Sequence, residues 1–211
     1  MAKHEVTFPI TDPQEILKLR AGDEVTVQGH IIGIRDRTQI RIFDEGIPSP
    51  MDLTGAFLLH TAPNVRKLGP GKYEKICIGT TTSARMVRFT EPLGRQYGVR
   101  AICGKGGFPD EAIAPMHELG MVYFAIVGGA AALETTQIEE IEEVMWEELM
   151  PECLWKFRVK DFGPLTVGID AHGNSLYHDV QARAQEKLKE LFARFYRRLP
   201  RRPRAAACTS R

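Results

Sequence analysis

Two short glycine-bounded loops carry the residues best suited to chemistry. One is Gly79-Thr80-Thr81-Thr82-Ser83-Ala84-Arg85-Met86; the other is Gly104-Lys105-Gly106-Gly107. Each sets a cation among small residues, where backbone N–H groups can approach a ligand closely and glycine tolerates dihedrals closed to other residues. The hydroxyls of Thr81, Thr82 and Ser83, the Arg85 guanidinium and the Lys105 ammonium together suit a small anion bearing carboxylates or hydroxyls. Gly104-Lys105 is not a phosphate loop. That motif needs a glycine five residues before Gly104, where Val99 stands, and Ser or Thr after the lysine, where Gly106 stands. No G-x-G-x-x-G opens a helix, so a dinucleotide fingerprint is missing as well.

The elements that must position these loops can be read from periodicity. Thr11-Asp12-Pro13 ahead of Glu15-Ile16-Leu17 predicts a short capped helix. Residues 23–34, with Val25, Val27, Ile31, Ile32 and Ile34, predict a strand or strand pair broken at Gly29, and residues 40–43 a continuation of the sheet. Ala56-Phe57-Leu58-Leu59-His60 is a buried-strand signature, residues 64–75 a basic hairpin or loop, and residues 75–78 a strand running into the threonine loop. Thr81 or Thr82 can cap a helix reaching about Tyr97, with Pro92 ending or kinking it early. Residues 99–103 form a strand leading into the lysine loop, and residues 109–119 a helix stopped by Gly120. A strand over 122–127 precedes Gly128-Gly129-Ala130-Ala131, read as a short, closely packed helix. Residues 138–146, 155–159 and 165–169 predict further strands, and Gly173-Asn174 a turn. Strands ending in glycine loops that feed helices indicate an α/β fold with its site at strand ends; the extra strands make the sheet mixed.

The 211 residues suffice for one ordinary domain and an extension, here residues 1–177 and 178–211. In the extension, Leu188, Leu191, Phe192, Phe195 and Leu199 recur at helical spacing, so residues 180–199 form an amphipathic helix. From Arg194 to the end there are seven arginines and no acid, a basic tail with RNA or an acidic partner surface as its alternative uses. The net charge of +1 argues against a general nucleic-acid binder. No stretch is long and apolar enough for a membrane span, and no signal peptide is recognisable, so a cytoplasmic location is expected. Cys77, Cys103, Cys153 and Cys208 are scattered without a C-x-x-C pair, which predicts free thiols and no metal site built by this chain alone.

The order of motifs carries a resemblance. Arg35-Asp36 is followed by Gly46-Ile47-Pro48-Ser49-Pro50-Met51-Asp52-Leu53-Thr54-Gly55, the threonine–arginine loop, Gly104-Lys105-Gly106-Gly107, then Val122-Tyr123-Phe124 with Gly128-Gly129-Ala130-Ala131. Lys160-Asp161-Phe162-Gly163-Pro164-Leu165 and Ile169-Asp170-Ala171-His172-Gly173-Asn174 close the series. It resembles the β subunit of the iron–sulfur hydro-lyases, class I fumarase and L(+)-tartrate dehydratase, over roughly residues 9–177. The same unit forms the C-terminal domain of single-chain class I fumarases. The resemblance implies a swivelling β/β/α domain that closes over a substrate site shared with an α subunit, in an α2β2 assembly. The α subunit holds a 4Fe-4S cluster through its own cysteines. The implied reaction is reversible water elimination from a C4 2-hydroxydicarboxylate, malate to fumarate or tartrate to oxaloacetate.

By the same resemblance, Arg85 matches the arginine of the family's G-P-T-T-x-G-R-M loop and binds a substrate carboxylate, for which its planar fork is suited. Arg35 matches the arginine of R-D and holds the other carboxylate. Lys105 matches the lysine of G-K-G, with Gly104 beside it, and adds positive charge over the site. Thr81 matches the first threonine of the T-T pair and is the base-side group, while Thr82 and Ser83 offer hydrogen bonds to substrate. Read as residues alone, Arg35–Asp36 could instead be a structural ion pair and Thr81 a helix cap; His30, His60, His117 and His172 belong to no motif. Four departures stand out: Gln39 replaces a histidine, Thr80 a proline, Ala84 a glycine and Val87 an acid. The expected function is therefore an enzyme subunit active only with its α chain, with a non-catalytic dicarboxylate-binding paralogue as the alternative.

Overall fold

The computed structural model describes residues 1–198; the arginine-rich tail beyond them, with Leu199 and Cys208, lies outside the described residues. These fall into two units, residues 1–177 and residues from His178 on. In the first, β1 (Lys3–Phe8) is followed by a one-turn helix α1 (Gln14–Leu17), β2 (Glu24–Ile34), α2 (Asp36–Phe43) and β3 (Phe57–His60). The hairpin β4 (Asn64–Gly69) and β5 (Lys72–Cys77) stands apart as its own two-stranded sheet. A 3-10 helix (Ala84–Phe89) runs into α3 (Thr90–Tyr97), then come β6 (Ala101–Lys105), α4 (Ile113–Leu119), β7 (Val122–Ile126), β8 (Ile138–Met145) and β9 (Leu154–Ile169).

β1, β2, β3, β6 and β7 lie side by side in parallel. β9 runs antiparallel to β7 and, at its other edge, to β2, so β2–β3–β6–β7–β9 closes on itself in a barrel-like mixed sheet. Period-two alternation explains the two apolar layers. Phe57 and Leu59, Ala101 and Cys103, and Val122 and Phe124 face one core with Trp155, Phe157 and Phe162. Leu58, Ile102 and Tyr123 face the other, under Met86, Phe89, Leu93 and Met116 from the helices. Each large side chain so buried contributes roughly 1.5–3 kcal/mol. β8 ends the strand order with Glu139, Glu140, Glu142 and Glu143 along it; Arg158 pairs with the first three.

Several expectations are corrected. Residues 40–43 belong to a helix: the Thr38 hydroxyl takes the Arg35 N–H at 2.9 Å and starts α2 directly after β2. Residues 155–159 and 165–169 are one strand, β9, bent where Asp161 and Gly163 adopt positive φ. Thr81 and Thr82 cap nothing; the helical turn starts at Ala84, and Pro92 fits in the first turn of α3, where N–H groups lack helical partners anyway. Gly128 and Gly129 are exposed, and a Cβ on Gly129 would meet nothing within 4 Å, so close packing is not their purpose. Gly29 does not break β2. It bends the strand at φ +88°, where its pairing with β9 shifts register. Gly120 stops α4 in the left-handed conformation, as expected.

The second unit carries α5 (Leu176–Arg198), which starts two residues before it. Val180, Leu188, Leu191, Phe192 and Phe195 are exposed along that helix. No helix among the described residues is long and apolar enough to cross a membrane. Cys77, Cys103 and Cys153 are free thiols.

Two outcomes follow from this packing. A Cβ at Gly29 would lie 2.3 Å from the Phe8 carbonyl oxygen, with φ already unfavourable. Gly29→Ala should cost about 2–4 kcal/mol and lower the thermal midpoint by roughly 5–15 °C; an unchanged midpoint would mean that β1 shifts to admit the methyl group. A chain ending after Tyr177 should lose the helical circular dichroism of α5 yet keep a cooperative melt, whereas loss of soluble protein would make α5 part of the folding unit.

Candidate functional site

The parallel strands β2, β3, β6 and β7 all end at one edge of the sheet, and the expected site residues gather there. In parallel α/β sheets ligands bind beyond the carboxyl ends of the strands. Arg35 and Asp36 follow β2, His60 ends β3, Lys105 ends β6, and Gly128 follows β7. The threonine loop is laced between two of these ends by main-chain bonds. The Thr81 N–H donates to the His60 carbonyl at 2.8 Å, the Lys105 N–H to the Thr81 carbonyl at 3.0 Å, and the Ser83 N–H to the Lys105 carbonyl at 3.3 Å. Thr80 bridges Thr61 on one side, and Thr82 bridges Lys105 on the other. The loop therefore serves as a short extra strand across the mouth of the sheet.

Arg85 and Arg35 meet on one carboxylate. Arg85 donates from Nε to Asp36 Oδ1 at 2.7 Å and from Nη2 to Oδ2 at 2.5 Å, and from Nη1 to the Thr82 carbonyl at 3.0 Å. Arg35 Nε reaches Asp36 Oδ2 at 3.2 Å and lies 3.5 Å from Glu152 Oε1. Glu152 also accepts the Arg37 N–H at 2.8 Å, at the positive end of α2. Burial pushes the Asp36 carboxyl upward, but the Arg85 hydrogen bonds and charge, with Arg35, overcome this and hold it below the usual carboxylate range. The same hydrogen bond raises Arg85 above its ordinary value. With three of five N–H donors engaged, the Arg85 fork keeps two for a ligand. Its side chain is 44% exposed, so its ion pair with Asp36 is worth little in water and yields readily to a better anion.

Lys105 lies on the other side of the threonine segment. Its Cδ would touch a Cβ on Gly128 at 3.7 Å, and it lines a recess of about 210 Å³ with Cys77, Thr80 and Gly129. It makes no ion pair with the described residues. Thr82 is exposed beside it, and Thr81 is 8% exposed. Ser83 points inward: fully buried, its Oγ sits 2.9 Å from His60 Nδ1. Gly104 makes room for it, because a Cβ there would lie 2.0 Å from that oxygen. Gln39, at the histidine position of the R-D motif, is buried with Nε2 toward Met86 Sδ at 3.0 Å.

Two residues that sequence reasoning passed over belong to this edge. Asp36 was visible only as the neighbour of Arg35, though a carboxylate between two arginines gathers both. His60 was readable as the one polar residue closing an apolar strand. Within the first unit, His4 pairs with Asp23, His30 pairs with Glu142, and His117 and His172 bond to the Ala171 and Leu17 carbonyls. Among the described residues no three His, Cys, Asp or Glu side chains gather as metal ligands, so the donors of those residues do not fit an iron–sulfur cluster.

Comparison with known proteins gives the family of this unit. The family described as "Fumarase C-terminus" matches residues 3–180. The L(+)-tartrate dehydratase subunit beta of Escherichia coli K12 is 42% identical over 180 residues, covering 82% of this chain and 86% of that one. A Methanocaldococcus jannaschii protein, provisionally named L(+)-tartrate dehydratase subunit beta, is 36% identical over 192 residues, 89% of this chain and 98% of its own. A provisionally named class I fumarate hydratase of Geobacillus stearothermophilus is 37% identical over 183 residues, 86% of this chain but 35% of its own. The unit thus occurs both as a separate subunit and as one part of a longer enzyme chain, and the present chain belongs to the fumarase C-terminus family of hydro-lyase subunits.

Proposed function

We propose that this chain is the β subunit of a 4Fe-4S-dependent hydro-lyase that adds water to, or removes it from, a C4 dicarboxylate. The substrates are malate and fumarate, or L(+)-tartrate giving oxaloacetate. The convergence of Arg85 and Arg35 on the Asp36 carboxylate carries the reading, since a group already gripped as a carboxylate marks where a substrate carboxylate is gripped. One substrate carboxylate takes the two remaining Arg85 donors, and the other is held by Arg35. Lys105 adds attraction from across the threonine segment, and Thr82 donates a hydrogen bond.

In dehydration the C3 proton is removed, the C3–H electron pair forms the C2=C3 double bond, and the C2–O bond breaks, its oxygen taking up a proton to leave as water. Thr81 stands on the side of the proton. Its alcohol becomes a competent base only through neighbouring positive charge, which Lys105 and Arg85 supply. The cluster belongs to an α subunit over which the domain swivels shut.

A second reading, a dicarboxylate-binding subunit without chemistry, is favoured by Gln39, which cannot titrate where the family carries histidine. One preparation separates the two: the chain co-produced anaerobically with its α chain and assayed for fumarate hydration and tartrate dehydration. Turnover of either supports the enzyme, and dicarboxylate binding without turnover supports the second reading. In the active complex Arg85→Ala should lower kcat/KM by roughly 30- to 5,000-fold, the about 2–5 kcal/mol expected when the substrate carboxylate, desolvated in the closed complex, loses its charged partner. Arg85→Lys should rescue little, because an ammonium cannot form the two-pronged contact. Activity of Arg85→Ala within threefold of the parent would remove Arg85 from the site.

A further inference from the structure

The threonine loop is held twice by one residue. The His60 main-chain carbonyl accepts the Thr81 N–H at 2.8 Å, and its ring Nδ1 meets Ser83 Oγ at 2.9 Å, so His60 spans both ends of residues 81–83. Ser83 is pinned from its other sides as well, by the closeness of Gly104 and by contact with the Tyr123 hydroxyl. Tyr123 in turn donates within 2.8 Å of the Gly104 carbonyl and 3.0 Å of that of Gly106, next to Lys105. His60 is 1% exposed, and its Nε2 is buried with no hydrogen-bond partner among the described residues. A polar ring atom left unpaired costs stability, and a core position at the end of β3 would be filled more cheaply by an apolar residue.

We propose that His60 is a positioning residue: as a neutral imidazole locked on Ser83, it fixes the threonine segment so that Thr81 faces the substrate and Lys105 stays in register beside it. The inference rests on the catalytic reading above. The ring must stay uncharged, because a cation there would add a buried charge with no carboxylate in hydrogen-bond contact. Burial drives the ring down to about 3; the Asp36 charge pulls it up and the Arg85 charge pushes it further down. The tautomer protonated at Nδ1 is the cheaper one, since it leaves a bare lone pair at Nε2 instead of an orphaned N–H.

The test uses the complex with its α chain and four variants: His60→Leu, His60→Asn, Ser83→Ala and the double variant His60→Leu/Ser83→Ala. His60→Leu and Ser83→Ala should each lower kcat by about 10- to 100-fold with KM within threefold, and the double variant should lose no more than the worse single one. His60→Asn, whose amide can still meet Ser83, should recover to within fivefold of the parent. The pH profile of kcat should keep its shape between pH 5.5 and 8 in all four. If His60→Leu does not assemble, Ser83→Ala decides alone. A kcat within threefold for Ser83→Ala while Arg85→Ala is crippled would overturn the role of His60 and leave the site standing. Failure of His60→Asn to improve on His60→Leu, or a histidine titration near neutral pH that is absent from both His60 variants, would also overturn it. If Arg85→Ala is itself unimpaired, the catalytic reading falls and the inference falls with it.

Discussion

The structure of the site depends on main-chain hydrogen bonding between the loop of residues 79–83 and the ends of β3 and β6. A loop carrying three threonines and a serine would ordinarily sample many conformations, and each fixed residue costs about 1–2 kcal/mol of entropy. Joining the sheet on both sides meets that cost with the same bonds that build the barrel. Ser83 is thereby held inside the protein while Thr82 stays exposed, and Lys105 is set beside them. The close approach needs a glycine at position 104, where no side chain fits against the Ser83 hydroxyl.

The second constraint is electrostatic. Arg35 and Arg85 would repel one another at this edge, and Asp36 holds them together by sharing its oxygens. Glu152 adds further negative charge beside Arg35 and the start of α2. This arrangement orients two guanidinium groups before any ligand arrives, which limits what binding must order. Because the shared carboxylate is partly exposed, the arrangement is firm in geometry yet loose in energy.

Much of this was legible in the residues. The strands closing the barrel were readable from β-branched and continuously apolar runs, β9 only in pieces, and Arg35, the threonine loop and Lys105 were placed at strand ends. What failed was local and had local causes. Ile40 and Ile42 suggested strand through β-branching, while one Thr38 hydroxyl bond to Arg35 starts a helix there. Three apparent pieces of the last third resolve into a hairpin, because β9 passes through a bend at Asp161 and Gly163 without ending. The inward turn of Ser83 was not legible, since the phase of a short loop strand depends on partners distant in sequence. His60 belongs to no motif, and only its burial against Ser83 gives it meaning.

A barrel that closes through β2 and β9 still leaves β8 at the outside of the strand order. An open strand edge invites another chain to add itself, the first step toward fibrils. Four glutamates crowd that strand, and Arg158 answers only three of them. Two such edges brought together would press like charge on like charge, so this acidic fringe keeps neighbouring molecules in solution from stitching their sheets into one.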